Sequence, residues 1–132
     1  MRDKTESRIQ QEIVIYFNNN YCLKHHKPRC SIFSVPNEGV MQLGNILRMR
    51  FKQINFEDII KKILFGLIST GLKKGVSDLI VLMPKRVIFV EVKTPTGGQS
   101  PDQKDFESLV KNLGFEYYLV RSLQDFKTYC TT

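Results

Sequence analysis

The stretch GVSDLIVLMPKRVIFVEVK, residues 75–93, decides the fold, because it holds two nearly continuous apolar runs separated by a turn. The runs Leu79 to Met83 and Val87 to Val92 are typical of central strands that are buried on both faces. Pro84 and Lys85 lie between them and indicate the turn of an antiparallel hairpin. This hairpin is the centre around which the rest of the chain is placed.

Three charged residues meet at the open end of the hairpin. A turn that is symmetric about residues 84–85 places Asp78 directly opposite Glu91, with β-carbons about 5 Å apart. Lys93 shares a face with Glu91, because side chains alternate along a strand. The proline fits the tightest hairpin turns poorly, so a four-residue turn over residues 83–86, which preserves the pairing, is expected. A shift of one residue would put the carboxylates on opposite faces unless a bulge restored them.

This grouping of charges favours a metal site. Two like charges that face each other in a sheet repel, and a divalent cation between Asp78 and Glu91 would remove that cost. Carboxylate oxygens suit Mg²⁺ or Mn²⁺, which complete their shells with water and phosphate oxygens. Lys93 would then orient an attacking water or stabilise charge on a phosphate. An ordinary surface ion-pair cluster at the strand ends explains the spacing equally well.

The rest of the chain supplies helices and strands around the hairpin. Apolar residues at helical spacing predict a first helix over residues 5–24, and Asn55 and Gly71 bound a second helix. Ser100 and Gln103 match a capping box at the start of a third helix. Other segments are predicted as strands (29–35 and 117–120), a short helix (122–129) and a basic loop or loose hairpin (40–52). The order predicts a single α/β domain over residues 1–132, in which helices cover a mixed sheet.

Bulk properties exclude several classes of protein. With 132 residues, 42% of them hydrophobic, the chain is neither disordered nor fibrous. The N-terminus lacks the apolar core of a signal peptide, and the longest apolar stretch, Ile63 to Ile68, is too short to span a bilayer. A cytoplasmic protein without a membrane partner is therefore expected. The three scattered cysteines argue against a disulfide framework, and the net charge of +7 raises the expectation of a polyanionic partner.

Three motifs together resemble a known family of nucleases. They are GLKKGVSD at residues 71–78, EVKTP at residues 91–95 and SPDQ at residues 100–103. Asp78 followed by Glu91-Val-Lys93 resembles the PD-(D/E)XK nuclease signature, with serine in place of the proline before the aspartate. The ordered set is similar to the VRR-NUC family, the virus-type replication-repair nucleases, over nearly the whole chain.

The resemblance implies a fold, a reaction and the central residues of a site. The fold is restriction-endonuclease-like, and the reaction is hydrolysis of DNA phosphodiester bonds with Mg²⁺ or Mn²⁺. Asp78 and Glu91 match the metal ligands of the family, and the carbonyl of Val92 is a further ligand. Lys93 matches the catalytic lysine.

Two more residues are assigned to the site with less direct support. Glu12 matches the acidic residue of the family's first helix by position alone, and it is expected to bind the metal and to take part in catalysis. Gln103 matches a glutamine that follows the catalytic strand. The capping pair with Ser100 explains Gln103 equally well.

Basic residues are candidates for contacts with the DNA backbone, which they would bind without reading sequence. They are Lys24, Lys27, Arg29, Arg48, Arg50, Lys52, Lys61, Lys62, Lys73 and Lys74. Standalone members of the family are commonly phage or bacterial proteins and form homodimers, which implies a homodimer acting in a bacterial or phage-infected cell. Residues 40–51 are the candidate dimer surface, because they carry more apolar side chains than an exposed loop should. Packing of this segment on the chain's own core explains them equally well.

These expectations combine into a metal-dependent DNA endonuclease. Its expected substrate is branched DNA, such as four-way (Holliday) junctions, in replication, repair or recombination. The alternative is a non-catalytic nucleic-acid-binding module on a nuclease-like fold. Such a module should have lost an acidic residue or the lysine, whereas this chain keeps Asp78, Glu91 and Lys93.

Overall fold

The computed structural model describes residues 4–35, 46–53, 55, 57–69, 71 and 73–131. Residues 1–35 and 75–132 belong to one compact unit, and residues 36–74 belong to a second. The single domain over residues 1–132 stays a prediction. In the described ranges, no helix is both long enough and apolar enough to cross a membrane.

Among the described residues, the first unit contains four strands and three helices, and the second unit contains a helix of 13 residues. In chain order the elements are α1 (Glu6–Tyr21), β1 (Ser31–Ser34), α2 (Glu57–Ser69), β2 (Leu79–Met83), β3 (Arg86–Val92), α3 (Pro101–Asn112), β4 (Glu116–Val120) and α4 (Leu123–Cys130). The predicted α/β order is confirmed. The largest difference in bounds is at α1, which ends three residues earlier than predicted.

The hairpin has the predicted register. Leu79 pairs with Val90 and Met83 pairs with Arg86, so the next position outward brings Asp78 opposite Glu91. The turn spans residues 83–86 as predicted, and because residues 83 and 86 are themselves paired, only Pro84 and Lys85 lie outside the ladder. Proline fixes its own φ near −65°, and Lys85 takes the left-handed conformation with φ 59°. The positive φ of a tight turn thus falls on the lysine, as in a type II turn.

The four strands form one mixed sheet in the order β1-β2-β3-β4. β1 pairs with β2, and β2 with β3, in antiparallel fashion, whereas β3 and β4 are parallel. The mixed sheet is therefore confirmed. Because β3 and β4 run in the same direction, their carboxyl ends lie at one edge, where the residues after Val92 and Val120 meet.

Helices cover both faces of the sheet. On one face the core is formed by residues of α1, α4 and the strands: Ile9, Ile13, Phe17, Leu79, Val81, Ile88, Val90, Val92, Val120, Phe126 and Cys130. On the other face Phe106 and Val110 of α3 pack with Tyr117. Since side chains alternate along β3, Glu91 lies on the α3 side of the sheet, opposite to Val90 and Val92.

The second unit differs from the sequence expectation in one segment. Residues 46–50 are helical, so the predicted loop or loose hairpin is wrong there, and residues 40–45 lie outside the described residues. The backbone N–H of Phe51 donates to the carbonyl of Leu47, and Arg48 forms an ion pair with Glu57. Leucine, methionine and arginine are good helix formers. The prediction of a loop relied on the mixture of apolar and basic residues and did not weigh this helix propensity. The side chain of Asn55 caps α2 as predicted, since its Oδ1 accepts from the N–H of Glu57 at 3.0 Å.

Candidate active site

Asp78 is held against the end of β3. It directly precedes β2, and its Oδ2 accepts a hydrogen bond from the backbone N–H of Val92 at 2.8 Å. Its own carbonyl accepts from the N–H of Val35 at 3.0 Å. The N–H and C=O of a strand residue point toward the same neighbouring strand, so the Val92 carbonyl also faces the side on which Asp78 lies.

Glu91 is a buried carboxylate whose two oxygens differ in their surroundings. The residue is 1% exposed. Its Oε1 accepts from Nε2 of Gln103 at 2.9 Å, whereas Oε2 receives no hydrogen bond from the described part of the chain. The neighbouring Asp78 carboxylate interacts with Glu91, but an ionised carboxylate offers only acceptors. A buried carboxylate left in this way takes up a proton or binds a cation.

The pKa of Glu91 responds to these surroundings. Burial raises the pKa well above its usual range, and the negative charge of Asp78 raises it further. The ammonium of Lys93 acts in the opposite direction and does not cancel the other two. In the metal-free chain the pair therefore tends to hold a proton.

Lys93 brings a buried positive charge to the same place. The residue is 8% exposed, and its Nζ lies 3.5 Å from Oε1 of Glu91. Its backbone N–H donates to the carbonyl of Val120 at 3.0 Å, which fixes the strand end. This degree of burial argues against the surface ion-pair cluster that the spacing alone allowed.

Gln103 makes the capping contacts and also contacts Glu91, and its role in catalysis stays a prediction. Its Oε1 accepts from the backbone N–H of Ser100 at 2.9 Å, and its own N–H donates to Oγ of that serine at 3.3 Å, which completes the capping box. Its Nε2 donates to Glu91. One side chain therefore links the start of α3 to β3.

Two residues that support this arrangement were missed as site residues. Gly75 has φ 81°, and a Cβ at this position would overlap the backbone carbonyl of Asp102, so the glycine allows α3 to approach Asp78. Tyr117 is buried, and its hydroxyl accepts from Nε2 of Gln99 at 3.1 Å. Burial and the charge of Glu91 raise the tyrosine's pKa. Strand alternation on β4 could have placed Tyr117 on the Glu91 face, but it does not indicate a role.

Glu12 is engaged elsewhere. Its Oε1 lies 2.7 Å from Nζ of Lys4 and 3.7 Å from Nε of Arg8. Across the described ranges, no three or more His, Cys, Asp or Glu side chains are grouped in a way that could hold a metal ion. The structure thus brings Asp78, Glu91 and Lys93 together, and the assignment of Glu12 as a metal ligand stays a prediction.

The predicted DNA-contacting residues lie at the protein surface. Arg48 is partly engaged, because its Nε is 2.6 Å from Oε1 of Glu57. The other candidates are exposed: Lys24, Lys27, Arg29, Arg50, Lys52, Lys61, Lys62, Lys73 and Lys74. Exposed cations are available to a polyanion, but exposure alone does not assign them to one.

Comparison with known proteins identifies the family. The chain is similar to a solved structure described as a VRR_NUC domain protein, with a TM-score of 0.61, 15% sequence identity and coverage of 99% of this chain and 92% of that chain. The shared fold is an α/β restriction-endonuclease-like core with a mixed sheet flanked by helices. Comparison with curated proteins gives no match. The family model for the VRR-NUC domain matches residues 5–124, most of the sequence, and the chain therefore belongs to the VRR-NUC family.

Proposed function

We propose that this chain is a metal-dependent DNA endonuclease that hydrolyses phosphodiester bonds. The observation that carries the proposal is the buried Glu91 carboxylate, whose Oε2 lacks a donor among the described residues. Asp78 beside it adds a second negative charge, and a cation between the two would stabilise both. Membership of the VRR-NUC family supports a nuclease.

The donor set at this position fits Mg²⁺ or Mn²⁺. Asp78 and Glu91 offer carboxylate oxygens and Val92 offers a carbonyl oxygen, and these are the hard donors that both ions prefer. When bound, the cation supplies positive charge against the phosphodiester and lowers the pKa of water. The chain's own residues orient the Glu91 carboxylate and the reacting groups.

Gln103 and Lys93 determine how Glu91 is presented. Gln103 holds Oε1 through its amide, so Oε2 would be the oxygen of Glu91 that is available to hold a cation. The ammonium of Lys93, 3.5 Å from Oε1, is placed to orient a water or to stabilise negative charge that develops on the phosphate. Its burial strengthens such an interaction, because the surroundings screen charge less than water does.

One ion per chain agrees best with these contacts. Mg²⁺ commonly uses one or two carboxylates and completes its shell with water and phosphate oxygens, and Asp78 and Glu91 provide two. Glu12 was predicted as a further ligand. It would first have to leave Lys4, whose Nζ is 2.7 Å away.

Branched DNA, such as a four-way junction, is the proposed substrate. The proposed active form is a homodimer, because two-fold symmetry would direct two sites at opposed strands. Exposed lysines and arginines would bind backbone phosphates without reading sequence. The proposed setting is replication, repair or recombination in the cytoplasm of a bacterium or of a phage-infected cell.

A plasmid-nicking assay tests the proposal. The wild-type protein should nick supercoiled plasmid with Mg²⁺ or Mn²⁺ and should stop when EDTA is added. Lys93→Ala should remove cleavage but keep binding of DNA and metal. Lys85→Ala, at the opposite end of β3, is the matched control and should cleave normally.

The outcomes separate the enzyme from the alternative, a non-catalytic nucleic-acid-binding module. A module would bind DNA without nicking it under any of these metal conditions. Lys93→Ala cleaving at the wild-type rate would overturn the assignment of the active site.

A further inference from the structure

A cavity of about 470 Å³ lies on the face of the sheet that α1 and α4 cover, at the edge where the parallel strands β3 and β4 end. Pro95, which follows β3, and Arg121, which follows β4, line it together with Ser122 and Lys127. Its volume lies in the range of roughly 300–1,000 Å³ that is common for ligand pockets. The cavity is therefore larger than a single phosphate needs.

One lining residue of the cavity is close in the chain to Lys93, the proposed catalytic lysine. Pro95 is two residues after Lys93, so their α-carbons are at most about 7.6 Å apart. The connecting segment is fixed, because one guanidinium nitrogen of Arg121 donates to the carbonyls of Thr94 at 2.6 Å and Gly97 at 2.7 Å. Glu91 lies on the α3 face, so the cavity and the carboxylates are on opposite faces of the sheet near the same edge.

The charge of the lining favours an anion. Lys4, Arg121 and Lys127 contribute three positive charges, and Glu12 contributes one negative charge. Glu12 is paired with Lys4. The guanidinium of Arg121 contacts carbonyl oxygens, which carry no full negative charge, and Nζ of Lys127 lies 4.6 Å from the ring centre of Tyr16.

The start of α4 adds a weaker attraction of the same sign. Ser122, Leu123 and Gln124 form the cap and first turn of this eight-residue helix and line the cavity. The N-terminus of a helix carries partial positive charge. The helix end supplements the cations and would not form a site without them.

We propose that this cavity binds a backbone phosphate, with its sugar, of the DNA strand that is cut, a few nucleotides from the scissile bond. The proposal rests on the proposed DNA endonuclease function. Nucleotides of one strand are about 3.4 Å apart along the axis of a duplex, so a strand that has its scissile phosphate at Lys93 and continues across this edge of the sheet reaches Pro95 within a few nucleotides. Arg121 and Lys127 would hold the phosphate, and the segment from Thr94 to Gly97 would separate the two phosphate positions.

The salt dependence of DNA binding tests the proposal. The full chain is kept in EDTA so that labelled duplex DNA is bound but not cut, and affinity is measured by fluorescence anisotropy at several salt concentrations. Each phosphate contact contributes about 0.9 to the slope of log affinity against log salt. Lys127→Gln should lower the magnitude of that slope by about 0.9, the value of one phosphate contact. Lys127→Arg, which keeps the charge, should restore it, and Lys85→Gln should leave it unchanged.

A neutral linkage in the DNA locates the contact. A methylphosphonate placed at successive positions of the strand should weaken binding by the wild type several-fold at one position near the cut. The same substitution should have no further effect on Lys127→Gln, because the contact is already lost. This dependence distinguishes a contact from a general loss of stability.

Each result supports or overturns the proposal. A wild-type salt slope in Lys127→Gln, or equal sensitivity of both proteins at every methylphosphonate position, overturns the cavity as a phosphate site. If the wild type nicks plasmid normally in that case, the proposed endonuclease function is kept and only the phosphate site is rejected. A wild-type chain that binds no DNA overturns both.

Discussion

Nε2 of Gln103 donates to Oε1 of Glu91 at 2.9 Å, while Oε1 of the same glutamine accepts from the backbone N–H of Ser100 at 2.9 Å. The first contact orients a carboxylate of the candidate site, and the second caps α3. Because one side chain makes both contacts, the start of the helix and the orientation of the carboxylate are coupled. Substitution of the glutamine should therefore change both the free energy of unfolding and the rate of cleavage.

Gln103→Met should lower both the stability of the fold and the rate of cleavage. Methionine fills a similar volume but can neither donate to Glu91 nor accept from Ser100. We expect the free energy of unfolding to fall by about 1–3 kcal/mol, since buried polar groups lose their partners, and cleavage to fall at least several-fold. Ser100→Ala is the control, because it removes one cap contact, costs about 1 kcal/mol and leaves Gln103 on Glu91. Equal losses of cleavage in the two variants would contradict the coupling.

Gly75 should tolerate no side chain. Its φ of 81° and the overlap of an added Cβ with the carbonyl of Asp102 both oppose Gly75→Ala, so we expect a loss of stability of more than about 1 kcal/mol and weaker cleavage as α3 moves away. Gly98→Ala is the matched control, because a Cβ there meets nothing within 4 Å. Thermal unfolding and nicking rates measure both effects. If the two alanine variants unfold at the same temperature, the close approach at Gly75 does not contribute to the stability of the fold.

Asp78→Asn should weaken metal binding while the fold is kept. Asparagine can still accept from the N–H of Val92 through its carbonyl oxygen, so the contact seen at 2.8 Å can persist, but the negative charge is lost. Titration calorimetry with Mn²⁺ should show a decrease in affinity of at least tenfold. A matched change at Asp102, an exposed acid in the first turn of α3, should leave the affinity unchanged. Wild-type affinity in Asp78→Asn would exclude this carboxylate as a ligand.

The hairpin and its charges were predictable because their determinants are local. The apolar runs and the position of Pro84 fix the register, and the register places Asp78 against Glu91. The contacts of Arg121 and Glu12 were not predictable in the same way. Arg121 contacts a segment 24 to 27 residues earlier in the chain. A local sequence pattern does not predict which backbone carbonyls are brought within reach of its guanidinium.

The pH dependence of stability should identify Glu91 as the buried acid. Burial, and then the charge of Asp78, raise its pKa in the folded metal-free chain. A carboxyl with a raised folded pKa contributes stability that is fully present below its unfolded pKa of about 4.3 and is lost as pH rises through the folded pKa. Wild-type protein in EDTA should therefore lose stability relative to Glu91→Gln from about pH 4 upward, by at most about 1.4 kcal/mol per pH unit. Denaturant unfolding at several pH values measures the difference, and parallel curves for the two proteins would count against a raised pKa.

Assembly into a homodimer provides the last prediction. In the segment proposed as the dimer surface, the described side chains of Ile46, Met49 and Phe51 are exposed, Met49 to 75%, which is unusual for apolar residues of a monomer when they are grouped. Light scattering should show a dimer for the wild type. Changing both Leu47 and Met49 to Asp should yield monomers that cut branched DNA poorly, because one site can then reach only one strand at a time. Ile15→Asp, on α1 and 60% exposed, is the matched control and should stay dimeric. A wild-type monomer that makes paired incisions in four-way junctions would rule this assembly out.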